Sequence, residues 1–133
     1  MEMQELKSNV SRSVLSGRRV VSEMDGPMSS GLIEFEPTTI AIRFVLDRAR
    51  ADIEVANPRR KNDWFTVSTV MNLLQRENDF KDHDFAGQLE YLNLSLHEIE
   101  TAAEIDSDAF FKKLSEIRLR RYNSRIKADD FEK

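Results

Sequence analysis

The sequence predicts an α+β protein: a small antiparallel sheet with three to four helices packed on one face. Two patterns carry this prediction. Residues 39–56 alternate apolar and polar in two runs, as a hairpin with one buried face must. Phe85, Leu89, Leu92, Leu96, Ile99 and Ala103 recur at spacings of four, three, four, three and four, the stripe of a long amphipathic helix. The chain has 133 residues, 40% of them hydrophobic, enough apolar side chain for the core of one domain.

From the N-terminus, Leu6, Val10 and Val14 lie four apart and predict a helix over 3–16, ended by Gly17. Val20 and Val21 fit either strand or helix. Residues 24–31, MDGPMSSG, are rich in Gly, Pro and Ser and read as a loop. A short strand follows at 32–36, with Ile33 and Phe35 on one face and acids on the other, and Pro37 closes it.

The hairpin fixes its own register. With Leu46 opposite Ala51, Phe44 meets Ile53 and Ile42 meets Val55, while Arg43 meets Glu54 on the other face. Apolar then pairs with apolar and plus with minus. The turn sequence Asp47-Arg48-Ala49-Arg50 has neither Gly nor Asn, so a four-residue loop is expected rather than a tight primed turn. Pro58 lacks an N–H and ends the ladder.

Residues 58–63, PRRKND, read as a polar turn. Trp64 and Phe65, beside a surface turn, could anchor a partner, as could Tyr91 and Tyr122, but Trp64 is expected to pack on the sheet as a hydrophobic staple. A helix then runs to about Glu77, capped by Asn62, Asp63 or Thr66, with Val67, Val70, Met71 and Leu74 buried. Residues 78–84 form a polar connector whose last residue, Asp84, caps the long helix. Asp106 or Ser107 caps the last helix, which buries Phe110, Phe111, Leu114 and Ile117 and extends toward Tyr122 and Ile126. The tail at 127–133 is expected to fray.

Composition narrows the function. The net charge of −4 argues against nonspecific nucleic-acid binding by the whole surface. The chain has no Cys, which removes disulfide and thiolate chemistry and favours a cytoplasmic location. No apolar run reaches the roughly 18 residues of a membrane span, and MEMQELKSNV has no secretory apolar segment. Gly17, Gly26, Gly31 and Gly87 match no phosphate-binding loop. No nucleophile–base pair is visible, so an enzyme is not expected and no cofactor is implied.

Five groups of side chains merit consideration as sites. Asp79, Asp82, His83 and Asp84 offer oxygen and imidazole ligands, but without the alternation and Gly of a calcium loop they read as a solvated connector, with no metal. His83 and His97 stand outside any zinc signature. Arg118, Arg121 and Arg125 share one face of the last helix beside Tyr122, a set that could grip a nucleic-acid backbone and stack a base. Basic residues are also simply favoured near a helix C-terminus. Arg48 and Arg50 fall at one end of the sheet and Arg59, Arg60 and Lys61 at the other, so they are not one patch. Finally, the polar face of the hairpin (Arg43, Asp52, Glu54) and the acidic run (Asp79, Asp82, Asp84) are the surfaces a protein partner would read.

Residues 40–74 resemble a pattern in small bacterial proteins, some of them similar to immunity proteins of toxin–immunity systems. There a strand ending in hydrophobic-Asp-Arg, here Leu46-Asp47-Arg48, pairs with an alternating strand, and a Trp, here Trp64, opens a helix. The resemblance covers about a quarter of the chain and transfers no functional residue. It implies a cytoplasmic binding protein without catalytic activity, whose protein partner would be a bacterial toxin. The expected function is therefore a non-enzymatic protein-interaction module. The alternative is a nucleic-acid-associated regulator using the last helix.

Overall fold

A computed structural model describes residues 1–77 and 80–131; of 126–131 only the backbone is described. The order is α1 (Met3–Ser11), β1 (Val20–Gly26), β2 (Ser30–Phe35), β3 (Ala41–Asp47), β4 (Arg50–Ala56), β5 (Trp64–Thr66), α2 (Val67–Leu74), α3 (Phe85–Ile105) and α4 (Ser107–Phe131). The strands form one antiparallel sheet in sequence order, β1 to β5. The fold is α+β, as the alternation and the long apolar stripe require.

The β3–β4 register follows side-chain complementarity: Leu46 faces Ala51, Phe44 faces Ile53, Ile42 faces Val55 and Arg43 faces Glu54. The turn differs from expectation. Asp47 pairs with Arg50, leaving only Arg48 and Ala49 between the strands, with φ of 50° and 67°. This is a tight turn with both central residues left-handed, made without Gly or Asn. Outside bonds hold it: Ala49 N–H donates to the Ser29 carbonyl at 3.0 Å, and the Met1 ammonium donates to the Ala49 carbonyl at 2.9 Å. Tertiary bonds here override local preference.

The expected loop at 24–31 is instead the end of β1, a three-residue turn at 27–29 and the start of β2. Its Gly, Pro and Ser mark the turn but spill into both strands. Gly31 lies within β2 because a Cβ there would meet the Met3 Sδ at 2.7 Å. Trp64 is also placed differently. It belongs to β5, and the alternation sends Phe65, 3% exposed, into the core. Trp64 itself lies half-buried on the opposite face, beneath the Arg43 guanidinium.

All four helices contribute to the core on one face of the sheet. That face carries Ile33, Phe35, Ile42, Phe44, Leu46, Ile53, Val55 and Phe65, all buried. Met3 and Leu6 of α1 join the same cluster, as do Leu92, Leu96 and Ile99 of α3 and Phe110, Phe111 and Leu114 of α4. Phe44 sits edge-on to Phe35 and Phe85, and Phe65 tilts against Phe111. Thr66 caps α2, Asp84 caps α3 and Asp106 accepts from Ala109 at the start of α4. The predicted helix to Glu77 ends at Leu74, where Gln75 caps it and Arg76 turns left-handed, φ 51°. α1 is shorter than predicted, and Val14 beyond it is exposed. The backbone of α4 continues into the expected tail as far as Phe131, and residues 132–133 lie outside the described residues. Tyr122 is exposed on it.

Candidate functional site

The face of the sheet opposite the helices is the principal open surface. Strand alternation and register place Met24, Leu32, Val45 and Asp52 in one row across β1 to β4. Ser22, Glu34, Arg43, Glu54 and Thr66 form the next row across all five strands. Trp64 lies beside Ala56 in the row after that.

The rows are held by charge. Arg43 Nε donates to Glu54 Oε1 at 2.7 Å, and its guanidinium sits 4.0 Å from the Trp64 ring centre. Lys61, in the 57–63 loop, forms an ion pair with Glu34, and its carbonyl accepts the Trp64 indole N–H. The Arg43 and Glu54 side chains keep about a quarter and a fifth of their surface exposed, at 25% and 20%. Each charge is thus satisfied locally; Arg43 and Glu54 keep part of their surface open, while Glu34 is buried beneath Lys61.

Asp52 lies on this face at the boundary with a second cluster. β5 pairs with β4 only from Glu54 onward, so the first half of β4 has no strand on the side away from β3. Gln88, reaching over from α3, fills the gap. Its Oε1 accepts from the Ile53 N–H, and its Nε2 donates to Asp52 Oδ1 and the His83 carbonyl, each at 2.9 Å. Arg50 bridges Asp52 and Asp82 at 3.5 and 3.8 Å, and Arg121 reaches Asp82 at 3.1 Å. Two residues read as partner-binding acids and one read as a nucleic-acid-binding base therefore meet in one network. Arg121 also stacks on Phe80.

The remaining residues separate. Asp84 is occupied as the cap of α3, accepting from Gly87 N–H at 2.9 Å. Asp79 lies outside the described residues. Arg118 pairs with Asp63 at 2.9 Å, donates to the Trp64 carbonyl and stacks on Phe65. It anchors α4 to β5. Tyr122 and Arg125 are exposed further along α4. His83 Nε2 lies 3.1 Å from Glu77 Oε1, close enough to hydrogen-bond.

Sequence reasoning missed Gln88 and Phe80, and it set the surface reading of Trp64 below the core one. Gln88 left a signal: it sits three residues after Phe85 and four before Leu92, on the apolar stripe, where a polar side chain must find partners. Among the described residues no helix is long and apolar enough to cross a membrane. No protein-family model, curated protein or solved structure matches the chain.

Proposed function

We propose that this chain is a non-enzymatic protein-interaction module that receives its partner on the open face of the sheet, around Arg43, Glu54 and Trp64. The observation that supports this most is the composition of that face: an Arg stacked on a Trp, flanked by Glu34 and Glu54, beside a partly apolar row of Met24, Leu32 and Val45. Trp and Arg are enriched at binding hot spots, where surrounding contacts of little energy of their own exclude water. Ion pairing holds Arg43 in place before a partner arrives, which lowers the ordering cost of association.

Glu34, Asp47, Asp52 and Glu54 outnumber Arg43, Arg50 and Lys61 on and beside this face. A partner with a basic surface fits it and would be steered to it. The most concrete form of this reading is a bacterial immunity-type protein that neutralises a toxin by occupying it. Cytoplasmic action agrees with a chain that has no Cys.

The test is titration against the products of the genes that neighbour this one, a secreted toxin-like protein first among them. A complex weakened by more than about tenfold in Arg43→Ala/Trp64→Ala, with the circular dichroism unchanged, supports the site. A complex indifferent to those changes rejects it. The nucleic-acid reading has less support, because Arg118 and Arg121 are already tied to Asp63 and Asp82. A gel shift showing tight, salt-sensitive binding to generic DNA or RNA would reverse that ranking.

A further inference from the structure

We infer that β1 is a docking edge at which an extended basic segment of the partner joins the sheet as an additional strand. This deepens the interaction reading and rests on it, but concerns the edge of the sheet rather than its open face.

β1 pairs with β2 on one side only, and seven residues of it lie along the border of the sheet. Exposed apolar side chains concentrate there: Val20 is 42% exposed, Val21 47% and Met24 62%. A strand border with free backbone donors and acceptors is a template for another strand, and proteins usually blunt such borders with charged side chains, Pro or bulges. β1 has no Pro, a bulge at Val21 between the pairs of Val20 and Ser22, and two acids, Glu23 and Asp25, that guard it against strands of like charge but not against a basic one. From Ser22 to Gly26 its ladder is regular.

The side chains of that regular stretch select the occupant. Glu23 and Asp25 point to the helix face, in register with Ile33 and Gly31, while Met24 points to the open face in the row of Leu32 and Val45. Lys7 of α1 takes Glu23 in an ion pair at 2.8 Å, and Glu23 and Asp25 together raise the Lys7 pKa. Beside the regular Ser22–Gly26 stretch two acids, Glu23 and Asp25, face one base, Lys7.

Within the regular Ser22–Gly26 stretch a second copy of the chain is a poor occupant. Two-fold antiparallel pairing centred on Met24 sets Glu23 against Asp25 twice. Centring on Glu23 or on Asp25 sets that acid against its own copy. Like charges directly opposite are destabilising in a sheet. A strand with Lys or Arg at every second position instead places base opposite Glu23 and Asp25. Its intervening apolar residues then extend the Met24 row. Main-chain bonds supply affinity and the alternating side chains supply selectivity.

The experiment uses the full chain and two fluorescein-labelled nine-residue peptides, one alternating Lys with Val and one alternating Glu with Val. Anisotropy is expected to show the Lys peptide binding about tenfold tighter or better, weakening with salt. Amide hydrogen exchange is expected to slow within Ser22–Asp25. Glu23→Lys/Asp25→Lys should reverse the preference; if that variant does not fold, Asp25→Lys alone should narrow it. Arg43→Ala should leave peptide binding unchanged, which separates failure at the edge from failure of the open-face reading. Equal binding of the two peptides overturns the inference. So does protection that appears elsewhere than β1, or a preference that charge reversal does not move. A dimer that protects β1 without peptide overturns it as well.

Discussion

On the helix-covered face of the sheet Phe44, Ile53 and Val55 are wholly enclosed, and their side chains are held by fit alone. On the open face Arg43, Glu54 and Trp64 are partly exposed and held by a hydrogen-bonded ion pair and a stacked guanidinium. The same strands supply both. One face is specified by volume, where each lost methylene leaves a gap; the other by pairing, where each lost partner leaves a charge that water can still reach. Changes should therefore be costly for stability on the first face and costly for binding on the second.

The largest expected effect tests that division directly. Phe44→Ala should cost about 3–5 kcal/mol, the range for truncating a buried Phe, whereas Val45→Ala, one residue on and facing the other way, should cost about 1 kcal/mol or less. Denaturant unfolding measures both. Equal costs would mean that the open face is covered in solution.

Next comes the edge of β4, where the two kinds of face meet. Gln88 is 1% exposed and bonds the Ile53 N–H, Asp52 and the His83 carbonyl. Gln88→Leu should cost about 1–3 kcal/mol, because it strands a buried N–H. Hydrogen exchange at Ile53 should accelerate while exchange at Phe44 stays slow.

A smaller effect, of opposite sign, is expected at the β3–β4 turn. Ala49→Gly relieves a left-handed residue and should stabilise by about 0.5–1 kcal/mol after the entropy of the added Gly is subtracted. A melting midpoint that falls instead would show that the bonds to Ser29 and Met1 depend on the Ala side chain.

The smallest effect appears at high pH. Burial, with Glu98 adding to it, raises the Tyr91 phenol above its ordinary value of 10.0. The folded state keeps the proton that the unfolded chain releases, so this contribution is intact below pH 10 and declines as pH rises beyond it. Tyr91→Phe should flatten that part of the decline in melting temperature. An unchanged slope would place the phenol in contact with water.

The sequence was most legible where two patterns checked each other. Residues 39–56 gave the register because an error of one residue would have turned Phe44 and Ile53 outward and broken the Arg43–Glu54 pair. Asp84 and Thr66 were readable as caps because a cap is local. β1 was not legible: an edge strand is exposed along most of its length, so Val20 to Gly26 have no reason to alternate. β5 was hidden because its three residues run directly into a helical pattern, and the eye assigns Trp64 to the helix rather than to the open face. The tight turn at Arg48-Ala49 was missed because the bonds that hold it come from Ser29 and Met1, distant in sequence. The site was half legible. Arg43 and Glu54 followed from the register. The network of Arg50, Asp52, Asp82 and Arg121 did not, since it exists only because β5 stops short and leaves room for the 80–84 segment and α4 beside β4.

The strand order also bears on how the chain matures as it is made. Every strand lies beside its sequence neighbour, so each pairing closes a short loop and none waits for a distant segment. The whole sheet is encoded by Thr66, yet the core residues of α3 and α4 that cover Phe44 and Phe65 run on to Ile117, roughly fifty residues later, or about 3–10 seconds at synthesis rates of about 5–20 residues per second. During that interval the nascent sheet has only α1 and then α2 to shield its apolar face. The segment from Phe85 to Ile117 then acts on the growing chain as a lid that arrives last, and slow codons between Thr66 and Phe85 would lengthen the time for which the uncovered sheet can meet another like itself.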